Sequence, residues 1–87
     1  LSWMIRFTVV WHPVAQDEFA RIWLDAADRQ SVTLAANAID RHLATDALAK
    51  GIQLEGDVHQ LTVPPLRVIF AASEEDRLAR ILGVVAV

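Results

Sequence analysis

The stretch V-H-Q-L-T-V-P-P-L-R-V-I-F, residues 58–70, decides how this chain folds. Each arm alternates apolar and polar side chains with the period of a strand, and Pro64-Pro65 breaks the run between them. Arms joined this tightly pair most simply as antiparallel neighbours. Arg67 stands inside the second arm, and its guanidinium keeps its charge and requires a partner or water. On composition alone an ion pair with an acid such as Glu55 or Asp57 accounts for it; the other reading is a group that serves a ligand.

Downstream, S-E-E-D at 73–76 supplies a polar turn, and a third strand is expected over residues 78–87 after strands at 58–63 and 66–72. Upstream, Ile5, Phe7, Val9 and Trp11 alternate with Arg6, Thr8 and Val10, which predicts a strand over residues 4–11. His12-Pro13 stops it. Pro13 suits a first helical turn, Asp17 and Glu18 favour the positive end of a helix dipole, and Ala15, Phe19, Ile22, Trp23 and Ala26 fall on one face of a helix over residues 13–27. Asp28 is an N-cap for a second helix whose face is Val32, Ala35, Ala36, Ile39 and Leu43. The short connection makes the two an antiparallel hairpin. After Asp46 the pattern fades into a loop punctuated by Gly51 and Gly56. The order is β-α-α-β-β-β: a single two-layer α+β domain over residues 1–87, with the helical hairpin covering one face of a largely antiparallel sheet. Within it, residues 1–3, ahead of Met4, read either as a leftover of processing or cloning or as a native extension.

At 87 residues with 54% hydrophobic side chains, the chain can bury one core and still leave apolar surface uncovered. Such a surface implies a protein partner, and a homodimer is compatible with it. Eight Lys+Arg against eleven Asp+Glu give a net charge of -3, and Lys50 is the one lysine, so broad phosphate binding is disfavoured. No cysteine is present, which excludes disulfides, thiolate chemistry and cysteine zinc sites. No apolar run reaches the roughly 20 residues of a membrane span, and the start lacks the pattern of a signal peptide, so a soluble cytoplasmic protein without a membrane partner is expected.

No Gly-rich phosphate loop, H-E-x-x-H, G-x-S-x-G or metal-ligand spacing occurs, so no cofactor or metal is implied. His12 at the strand-to-helix corner is expected to satisfy local backbone groups, and His42 to complement a helix C-terminus. His59 shares a strand face with Leu61 and Val63, and Arg67 one with Ile69 and Ala71. Whether the two reach one surface depends on the register across Pro64-Pro65. If they do, an arginine that stabilises phosphate would stand beside an imidazole able to move a proton. Arg77 and Arg80 are assigned to charge pairing around the acidic turn, and Trp11 and Trp23 to the core; Trp3 is left unassigned.

The run I-R-F-T-V-V-W-H-P-V-A-Q-D-E-F, the Gly51 loop, and H-Q-L-T-V-P-P-L-R-V-I-F followed by an acidic turn and R-L-A-R-I-L-G-V-V resemble the RelE/ParE toxin superfamily. These are the toxin halves of type II toxin–antitoxin modules, which include plasmid stabilisation proteins. The resemblance covers nearly the whole chain from Ile5 and rests on the order and spacing of its parts. It implies a helical hairpin over a small sheet, with a cognate antitoxin that wraps the toxin and blocks its active surface. It also implies an activity: RelE-type members cleave messenger RNA in the ribosome without a metal, whereas ParE-type members inhibit DNA gyrase. Arg67 falls at the family's third-strand arginine, which in RelE-type enzymes attends the phosphate being cleaved, and His59 is the accompanying candidate for proton transfer. Relatives often carry a basic residue at the position of His59, and histidine, arginine or tyrosine where this chain ends V-V-A-V. Losing that positive charge weighs against cleavage. A ParE-like gyrase inhibitor, or an attenuated member that only binds an antitoxin, are the alternatives.

Overall fold

The computed structural model describes residues 6–87. Seven elements follow one another: β1 (Thr8–Trp11), α1 (Pro13–Asp25), α2 (Arg29–Lys50), β2 (Ile52–Glu55), β3 (Val58–Val63), β4 (Leu66–Ser73) and β5 (Leu78–Ala86). The strands form one sheet in the order β1-β5-β4-β3-β2. β2, β3, β4 and β5 pair antiparallel in succession, while β1 joins the edge parallel to β5. Two helices on one face of this mixed sheet make the α+β layer pair read from the sequence. Met4 and Ile5 of the expected first strand, and Trp3, lie outside the described residues.

Each element is bounded by its own chemistry. The His12 imidazole caps α1 by accepting from the Val14 N–H at 3.1 Å, with Pro13 at the first helical position. Asp28 caps α2 by accepting from the Ser31 N–H and hydroxyl. The Asp28 carboxyl is held below its ordinary 3.8, first by the Ser31 hydroxyl and then by the Ser31 backbone N–H.

Four expectations need correction. β1 begins at Thr8, and Arg6 and Phe7 precede it outside the strand. α1 ends at Asp25 rather than Ala27, because residues 26–28 are spent turning into the cap of α2. α2 continues past Asp46 to Lys50: Asp46 itself leaves helical geometry, but Ala47 in the next turn is completely buried, and that docking carries the helix on. The supposed loop contains β2, an edge strand with all four residues exposed. Gly51 connects α2 to β2. A Cβ there would lie 2.7 Å from the Gln60 carbonyl oxygen and 2.9 Å from the Phe70 ring, so the close approach of helix end to sheet requires glycine.

β4 is the spine of the core. Leu66, Val68 and Phe70 are completely buried and point to the helices, while Arg67, Ile69 and Ala71 point the other way. Ile39 and Leu43 of α2 and Ile81 of β5 meet the buried set, and Trp11 and Trp23 pack against it. Trp11 donates through Nε1 to Asp40 at 2.9 Å and meets Phe19 edge-on, which fastens β1 to both helices.

Candidate functional site: the open face of the sheet

The β3–β4 register fixes what each candidate residue can reach. Val63 pairs with Leu66 across the two-residue turn, so Thr62 opposes Arg67 and His59 opposes Phe70. Directly paired residues share a face. His59 therefore points with Phe70 into the helix layer, and Arg67 points with Thr62 onto the face that no helix covers. The possibility that the two side chains serve one surface does not survive this register.

His59 is buried, 6% exposed, with its ring stacked on Phe70 at 5.4 Å and 17°. Its Nδ1 lies 3.0 Å from the Asp57 carbonyl oxygen, a geometry that Nδ1–H satisfies by donating. Every recorded contact of this ring is to the protein's own interior. Arg67, half-buried, donates from Nε to the Thr62 hydroxyl at 3.0 Å. The acids expected to pair with it are elsewhere: Glu55 opposes Val58, which stands four residues up β3 from Thr62, about 13 Å away, and Asp57 adjoins it. A hydroxyl in place of a carboxylate leaves the guanidinium's charge available to an outside anion.

Around Arg67 the open face is apolar. Val85 opposes it on β5, Ile69 follows it on β4, and Gln60 opposes Ile69. Ile52 pairs with Gln60 at one margin, and Val10 pairs with Arg80 towards the other. Val10 is 41% exposed, Val85 52% and Ile52 66%. Among these neighbours no imidazole or carboxylate stands beside Arg67, so the site can bind an anion but holds no group of its own to relay a proton. The open face as a whole was missed from the sequence; the signal was present in the second phase of the alternation, in Ile69 and Val85, where polar side chains belong on an uncovered sheet.

A second polar contact shapes the same end of the molecule. β5 carries a bulge opposite Ile69/Phe70, and beyond it the Val84 N–H donates to Glu18 Oε1 of α1 at 3.1 Å. Glu18 thus closes the strand edge that β1, ending at Trp11, does not reach. Among the described residues no cluster of His, Asp or Glu is arranged to hold a metal ion, and no helix is long and apolar enough to cross a membrane.

No protein-family model matches this sequence, and no curated protein is significantly similar to it. Several solved structures with the same architecture are toxin–antitoxin proteins. One is a chain of the RelBE2 toxin–antitoxin complex of Mycobacterium tuberculosis, 15% identical over 97% of this chain and 94% of that one, with a TM-score of 0.75. Others come from the archaeal RelE–RelB complex of Pyrococcus horikoshii, 13% identical over 93% and 94% with a TM-score of 0.60, and from the isolated Escherichia coli RelE toxin, 12% identical over 93% and 83% with a TM-score of 0.57. At these identities the shared property is the fold. The chain has the fold of the RelE toxins.

Proposed function

We propose that this protein is the toxin-fold component of a type II toxin–antitoxin module that works in the cytoplasm by binding, not by cleaving RNA. The observation that carries this reading is the open sheet face: exposed apolar side chains around Arg67, with Arg80 further along the same face and His59 turned into the core. An uncovered apolar face calls for a protein partner, and RelE-fold chains in solved complexes are held with their antitoxins. The cognate antitoxin is the first occupant of this face. A cellular target, of which DNA gyrase is one candidate, competes for it when the antitoxin is gone. Arg67 supplies a charge contact within a largely apolar interface.

Arg67 also supports a second reading as a ribosome-dependent, metal-independent endoribonuclease. In that version the guanidinium stabilises the phosphate, while the ribosome or the RNA supplies proton transfer, because His59 does not share the face. Induced expression, with translation, message ends and DNA supercoiling followed separately, tests the two. The binding reading expects intact messages, either with gyrase inhibition or with unimpaired growth alongside a tight antitoxin complex. New cleavage ends in messenger RNA that disappear with Arg67→Ala would overturn it in favour of the nuclease.

A further inference from the structure

Away from the open face, a groove of about 650 Å³ lies between the tip of the helical hairpin and the Pro64-Pro65 turn, lined by Ile22, Ala26, Val32 and Ala86 with Asp25 and Asp28. Asp28 is already engaged in capping α2, so Asp25 is the charge available at this end. A second groove of about 400 Å³ is lined by Leu34, Ala38, Arg41 and Val63. Ser31 and Pro64 border both, so the two meet and form one track beside α2. From Asp28 to Arg41 the helix rises about 20 Å. The track is acidic at one end, basic at the other and apolar between, and Leu34 stands 58% exposed along it.

That order of charges is complementary to itself. If α2 of a second copy lies antiparallel in the track, Arg41 of each copy falls beside Asp25 and Asp28 of the other, and Leu34 of each falls over Ala35 of the other. A two-fold axis requires such reciprocity, with residue i meeting j and j meeting i. Ser31, Ala35 and Ala38 keep the facing surface low enough for the helices to approach closely. We propose that this chain forms a two-fold homodimer through α2 and the Pro64-Pro65 groove. The open sheet face stays free for the antitoxin. A helix pair of this length lies at the small end of specific interfaces, so association is weak and concentration-dependent.

Sedimentation of the purified chain over a range of concentrations, with charge-reversed variants, tests this. Asp25 and Arg41 are both exposed, and thermal melts establish that the variants fold. Asp25→Arg or Arg41→Asp alone sets like charges together at both symmetric ends and weakens association about tenfold. The double variant restores attraction between positions 25 and 41 at both ends, with Asp28 the one like charge left beside the new carboxylate, and recovers part of the lost association constant. A chain that stays monomeric at every concentration overturns the proposal and leaves the track to a different protein segment. A dimer indifferent to both reversals overturns it equally. Because the chain is measured alone, neither outcome depends on toxicity or on the antitoxin.

Discussion

Arg67 and His59 are eight positions apart and serve different layers of the molecule. His59 behaves as a core residue: His59→Ala removes the ring that covers Phe70 and is expected to cost about 2 kcal/mol of stability, read by urea denaturation. Arg67→Ala removes one exposed hydrogen bond and is expected to leave the unfolding midpoint nearly unchanged. A stability loss confined to Arg67→Ala would reverse these assignments. Only part of this was legible beforehand, since the sequence also made His59 a candidate for proton transfer. His59 shares its strand face with Leu61 and Val63, and that apolar company is what places it inside. What the residues did not reveal was the register, because nothing local fixes which β4 residue faces Val63 until the turn is seen to take only two residues. Once it does, odd-numbered residues of β3 share a face with even-numbered residues of β4.

At the scale of elements, the caps and the bulge make separable contributions. Asp28→Ala leaves the first turn of α2 without its acceptor and lowers Tm at neutral pH; Asp28→Asn keeps an acceptor and lowers it less. Because the folded-state pKa of Asp28 is depressed, its contribution is fully present above about 3.8 and is lost as pH falls through the lower folded value. The original protein should therefore lose stability below pH 3.8 more steeply than Asp28→Asn, as acid titration followed by circular dichroism will record. Glu18→Ala orphans the buried Val84 N–H at an expected cost of about 1–3 kcal/mol, whereas Glu18→Gln retains the acceptor and costs less. Elements with one buried face announced themselves through periodicity, and β3 was placed to the residue. β2 was not, since Ile52–Glu55 buries neither face and is a strand only by its hydrogen bonds to β3. The end of α2 was obscured where Asp46 departs from helical geometry, which is the point at which the sequence pattern dissolves.

For the whole molecule, the division of surfaces matters more than any single side chain. Helices cover one face of the sheet, the second face is apolar around Arg67, and the α2 track runs outside both. Val85→Glu places a carboxylate in the middle of the open face at a position already half exposed. It is expected to leave Tm within a degree or two and to weaken the antitoxin complex at least tenfold, measured by calorimetry. An unchanged affinity would move the antitoxin off this face.

The parallel junction between β1 and β5 has a consequence in time as well as in space. Thr8 pairs with Leu78, seventy positions later, and α1 packs on the same late strand. A growing chain that has reached only residue 77 can form its helices and the β3–β4 hairpin, but β1 lacks its strand partner and α1 the strand it packs on most. Neither the core nor the apolar outer face is complete before β5 emerges. The open apolar face thus comes into being in one late step, after nearly the whole domain has been synthesised, and until then the chain carries exposed strand edges that make it a substrate for chaperones and proteases.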